Sequence, residues 1–173
     1  LIARTVCDVL DSSWAPPPQI HPAPKTGPVD ISIRNEALAA RSRAERWLKT
    51  QPPPRELEDP QRRWEGHELR TPEDIADLLP LLSGAPDSSD ADLYDSYAAL
   101  AYALDCIGQE SVFLADGQSL AWREALLHQL IQLQQIDARG NGFWTHPAAK
   151  ENAADSIRST AQALKAIAAA LGE

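Results

Sequence analysis

From Ala154 to Leu171 the chain carries two apolar stripes side by side at helical spacing. Ile157, Ala161, Leu164, Ala168 and Leu171 form one, and Thr160, Ala163, Ile167 and Ala170 the other. A helix that is apolar over so broad an arc needs neighbours on most sides, and its many Ala residues let them approach closely. The chain must therefore fold as packed helices, an all-α class. No stretch shows the sustained period of two that announces a sheet. Any strand is expected only as a short pairing within Ala15 to Asp30.

Pro, Gly and capping residues divide the chain into about six helical segments. Leu1 to Leu10 has Ile2, Val6, Val9 and Leu10 in helical register and ends at Asp11-Ser12-Ser13-Trp14. Pro16, Pro17, Pro18, Pro22, Pro24 and Pro28 follow. Each removes a backbone donor and disfavours helix in the residue before it, so this stretch reads as an extended linker. A helix from about Asn35 to Thr50 is anchored by Leu38, Trp47 and Leu48, and Pro52-Pro53-Pro54 stops it. Glu36, Arg41, Arg43, Glu45, Arg46 and Lys49 spread charge around it and place it on the outside. Thr71-Pro72-Glu73-Asp74 is a helix start, with a capping hydroxyl, Pro at the first helical position and an acid three residues on. That helix runs to Leu82. Further helices are expected over Asp90 to Cys106, Ser119 to Gln135 and Ala154 to Leu171. The organisation read from these boundaries is a first helix and Trp junction over residues 1–14, a Pro-rich linker over 15–34 and a helical repeat domain over 35–173.

The 173 residues suit one domain, and their net charge is −9. Basic residues stand singly or beside acids, so no face is built to neutralise phosphates, and nucleic acid is not an expected partner. No apolar run approaches the roughly 20 residues needed to cross a bilayer. Cys7 and Cys106 read as two buried thiols rather than a long-range staple. The chain has no methionine and opens in mid-pattern at Leu1-Ile2-Ala3, as we expect of a piece of a longer polypeptide.

Trp14, Trp64 and Trp144 each follow a helix end through a polar break, and the latter two breaks begin near Gln51 and at Gln134 or Gln135. The second of these closes on Gly142-Phe143-Trp144. Together with Asp92-Leu93-Tyr94-Asp95-Ser96-Tyr97, Gly108, Trp122-Arg123 and the flanking Ala/Leu helices, the pattern resembles the repeat unit of the α/α toroids. That family holds squalene-hopene cyclases and the β-subunits of protein prenyltransferases. The resemblance is strongest over residues 92–171. It implies helical hairpins forming about half of a toroid, with Gln51, Trp64, Gln134, Gly142 and Trp144 as structural residues at the repeat junctions. In that family the junction Gln and Trp pack together, where the Gln amide can meet unpaired backbone groups.

The cyclase branch of the family uses an Asp-x-Asp-Asp cluster in which neighbouring carboxylates raise one pKa so that it can protonate an alkene. Here Asp90 and Asp92 are the candidates, but Leu93 stands where the next Asp belongs. The pair reads better as an acidic helix start favoured by the helix dipole. The prenyltransferase branch uses zinc held by Asp, Cys and His. Asp105 and Cys106 with His128 or His146 have the residue types without the spacing, so neither a metal nor another cofactor is expected. If the inner helices begin around one rim, as the resemblance implies, Tyr94, Tyr97 and Asp155 could face a shared cavity suited to an apolar ligand. The alternative for the tyrosines is packing, with the hydroxyl reaching a polar partner. His146 reads as a loop residue.

The expectation is therefore a non-catalytic structural or binding module of the α/α-toroid type. Its partner would be another protein chain, or the remainder of a longer polypeptide, held through the terminal helices. The alternative is an enzyme acting on an isoprenoid or other apolar substrate, with its acid site partly outside this chain. A carbohydrate lyase on an α/α barrel would want a cationic cleft, which the charge balance opposes.

Overall fold

Helix α1 begins at Ile31, four residues before Asn35, because a cap lies directly beyond the last linker proline. Asp30 Oδ1 accepts from Ser32 N at 2.8 Å, and the Asp30 carbonyl accepts from Arg34 N at 2.9 Å. The helix runs over Ile31–Thr50. The computed structural model describes residues 29–51, 72–84, 93–145 and 153–172. Leu1 to Leu10, Trp64, Asp90, Asp92 and His146 lie outside them, with most of the Pro-rich stretch. Among the described residues α1 is followed by α2 (Pro72–Leu78), a 3-10 turn (Leu79–Leu82), α3 (Leu93–Ile107), α4 (Trp122–Leu133) and α5 (Ala153–Leu171). Helix accounts for 70% of the described structure, which makes the class all-α.

Two expectations about local structure are corrected. The helix from Thr71 to Leu82 tightens to a 3-10 turn at Leu79. Pro80 has no N–H for an α-helical bond and its ring crowds the carbonyl four residues back. The expected helix over Ser119 to Gln135 is shorter at both ends, because strands occupy its flanks. Val112–Phe113 (β1) pairs antiparallel with Ser119–Leu120 (β2), and Gln135–Ile136 (β3) with Gly142–Phe143 (β4). Strand was expected only within Ala15 to Asp30, whereas among the described residues it is found between helices.

Turn chemistry explains both hairpins. Gly117 N donates to the Leu114 carbonyl at 2.9 Å, and Leu114 N to the Gln118 carbonyl at 2.9 Å. Gly140 N donates to Asp137 O at 3.0 Å and Asp137 N to Asn141 O at 2.9 Å, in the same arrangement. Each turn ends in a left-handed residue, Gly117 at φ 80° and Gly140 at φ 75°, a conformation that only Gly adopts without strain.

Contacts between helix ends give the directions. Asp30 N, at the start of α1, donates to Glu124 in the first turn of α4. Arg43 and Ala40, further along α1, meet Gln134 just past the end of α4. Those two helices are parallel. Asp95 meets Arg158 and Gln162 near the starts of α3 and α5, so these two are parallel as well. Arg123, at the start of α4, reaches Asp105 late in α3 and Ala169 late in α5, so α4 runs against both.

The core lies between these elements. Trp122, Trp144, Tyr97, Ile75, Leu93, Leu100, Leu104, Leu126, Leu127, Leu130 and Ile167 are its large, fully buried members. On α1 the stripe Ala37, Ala40, Ala44 and Trp47 is buried, while Glu36, Glu45, Arg46 and Lys49 stay exposed. Small side chains at the contact let α1 lie close to α4 and α5. On α5, Thr160, Ala163, Ile167 and Ala170 are buried. Ile157, Ala161, Leu164 and Ala168 are only half-buried, so one of its two stripes is fully enclosed. No helix among the described residues is long and apolar enough to cross a membrane.

Candidate functional site

The polar side chains with the most specific geometry gather where helices end. At the last turn of α4, Gln134 N bonds to Ile131 O at 3.3 Å, which leaves the Leu130 carbonyl without its helical partner. Trp144 supplies one, since its indole Nε1 donates to Leu130 O at 2.8 Å inside the core. The backbone of Trp144 is held in turn by Thr160 of α5. The Thr160 Oγ1 accepts from Trp144 N at 3.0 Å and donates to Trp144 O at 3.3 Å. One buried residue thus closes α4 and fastens β4 to α5.

Gln134 works on the other side of the same junction. Its Nε2 donates to Ala40 O at 2.9 Å and its Oε1 accepts from Arg43 Nε at 2.9 Å, so the amide bridges to α1. Gly142 makes room for it. A Cβ at position 142 would stand 2.5 Å from Gln134 Cδ and 2.8 Å from its Oε1. Phe143, the next residue, stacks on Trp47 of α1 with ring centroids 5.1 Å apart at 16°. Gln134, Gly142 and Trp144, read from sequence as one junction, are thus brought together. Gln51 belongs to the other expected junction, whose Trp64 lies outside the described residues. It ends α1 locally, with its N bonded to Leu48 O at 3.1 Å and its Nε2 near Thr50 Oγ1 at 3.2 Å.

Sequence reasoning missed a second junction, at the start of α4. Trp122 is fully buried, and its Nε1 donates to Gln109 O at 2.5 Å, just past the end of α3. Arg123 stacks over the Trp122 ring with Cζ 4.5 Å from its centroid. Its Nη1 donates to Ala169 O at 2.6 Å and Ala170 O at 3.2 Å, and its Nη2 to Asp105 Oδ1 at 2.5 Å. A cation on the last carbonyls of α5 also suits that helix's dipole. The signal was in the sequence: Gly117 precedes Trp122 by five residues much as Gly140 precedes Trp144 by four.

The cavity candidates are placed differently. Tyr94 and Tyr97 are buried in the core with centroids 6.4 Å apart, and their hydroxyls donate to Thr145 O at 3.3 Å and Leu81 O at 3.4 Å. Burial pushes the Tyr97 hydroxyl up to about 12, and burial with the neighbouring Tyr97 pushes Tyr94 higher still. Asp155 is exposed in the first turn of α5. Asp95, by contrast, joins α3 to α5, accepting from Arg158 Nη2 at 2.6 Å and from Gln162 Nε2.

In the second hairpin Asp137 accepts from Arg139 N at 2.8 Å, Asn141 N at 2.9 Å and Asn141 Nδ2 at 3.1 Å. Hydrogen bonding by Asn141, above all from its backbone, holds this carboxyl below its usual value, with Arg139 adding to the effect. Cys106 is a half-buried free thiol, and His128 is exposed beside Gln132. Among the described residues no three His, Cys, Asp or Glu side chains are grouped to hold a metal ion.

No family model, curated protein or solved structure matches the chain.

Proposed function

We propose that the chain is a non-catalytic structural or binding module of the terpenoid cyclase and prenyltransferase-like α/α-toroid type, an arc of about half such a ring. The observation that carries this reading is the Gln134, Gly142 and Trp144 junction. There the Gln amide fills the space beside Gly142 and bonds the neighbouring helix, while the indole closes the end of α4. Parallel α3 and α5 with an antiparallel α4 between them in sequence fit alternating inner and outer helices. Tyr94 and Tyr97 serve this module as packing residues whose hydroxyls tie loop carbonyls to the core. The partner is another protein chain, or further polypeptide continuous with this one, seated against a terminal helix. On α5 the half-buried Ile157, Ala161, Leu164 and Ala168 lie on the side such a partner would cover.

Sedimentation and light scattering of the isolated chain at micromolar concentration, run beside turnover assays with squalene and with a prenyl diphosphate and acceptor peptide, test this reading. Self-association that Ala161→Glu weakens, without turnover, is the expected result. A stable monomer would show that the described helices suffice alone, and turnover by metal-free protein would make the chain an enzyme.

A further inference from the structure

We draw no further inference here: the strongest candidate, the half-buried stripe of Ile157, Ala161, Leu164 and Ala168 along α5, belongs to the reading already proposed, and nothing in the structure shows what covers it.

Discussion

Replacing Gly142 by Ala adds a single methyl group, and its cost follows from one contact. Gly142 is not among the glycines with positive φ, so the backbone accepts Ala without strain and the effect is steric. The new Cβ would lie 2.5 Å from Gln134 Cδ, well inside van der Waals contact, so the amide must leave. It then gives up its bonds to Ala40 O and Arg43 Nε. The flexible end of the Gln134 side chain moves away and relieves the clash, so the loss is that of two hydrogen bonds at about 1 kcal/mol each, about 2 kcal/mol in all. That is a large share of the roughly 5–15 kcal/mol that holds a domain together.

The same reasoning fixes a control. In Gln134→Ala the amide is already gone, so adding Gly142→Ala should cost less than about 1 kcal/mol, against a single-mutant cost of about 2 kcal/mol for Gln134→Ala itself. Urea denaturation of the four proteins, with slopes compared to confirm that the unfolding transition is unchanged, gives the coupling energy. Additive losses in the double mutant, or a Gly142→Ala loss below about 1 kcal/mol, would refute the claim that the Gln134 amide excludes a side chain at 142.

Three further outcomes are expected. Trp144→Ala should cost roughly 3–5 kcal/mol by emptying the core, while Trp144→Phe should cost about 1–3 kcal/mol by leaving the Leu130 carbonyl unpaired; an unchanged urea midpoint in both would remove its bracing role. The folded-state pKa of Asp137 is depressed, so its contribution is present above the unfolded carboxyl value, about 3.9, and is lost as pH falls through the folded one. Protection of the Asn141 amide, its exchange rate taken relative to the intrinsic rate at each pH, should therefore fall in acid in the native chain and lose that dependence in Asp137→Asn. Tyr94 and Tyr97 are shifted the other way, so stability should decline as pH rises from about 10, where the unfolded chain begins to ionise. An ultraviolet titration showing all three tyrosines ionised by pH 11 with the fold intact would contradict their burial.

Helix existence was legible because periodic apolar positions decide it locally: the stripes on α5 and the Trp47 anchor of α1 lie where spacing placed them. The start of α1 was misplaced because the Asp30 cap sits inside what composition marks as linker. Pro80 carried the signal for the 3-10 turn, but a Leu-rich run around it masked that signal. The hairpins were hidden for another reason. Strands of two residues cannot alternate, so only Asp116-Gly117 and Arg139-Gly140 spoke for them. Long-range pairings were out of reach altogether. Arg43 and Gln134 stand 91 residues apart, and no local pattern says which arginine will meet which amide. Tyr94 and Tyr97 show the limit for sites, since spacing put them on a helix but could not say whether they face a cavity or fill a core.

The adjacent Trp122 and Arg123 have a consequence for how this fold comes apart. Helix ends ordinarily fray first, because their last carbonyls are finished by water or by residues close in sequence. Here the ends of α3 and α5 are finished by one dipeptide, and Arg123 lies 46 residues from Ala169. The last turn of α5 therefore loosens only together with the start of α4, and native-state hydrogen exchange should find both in one cooperative opening unit. Truncation just before Ala169 would then be felt at Trp122 before it was felt in the middle of α5.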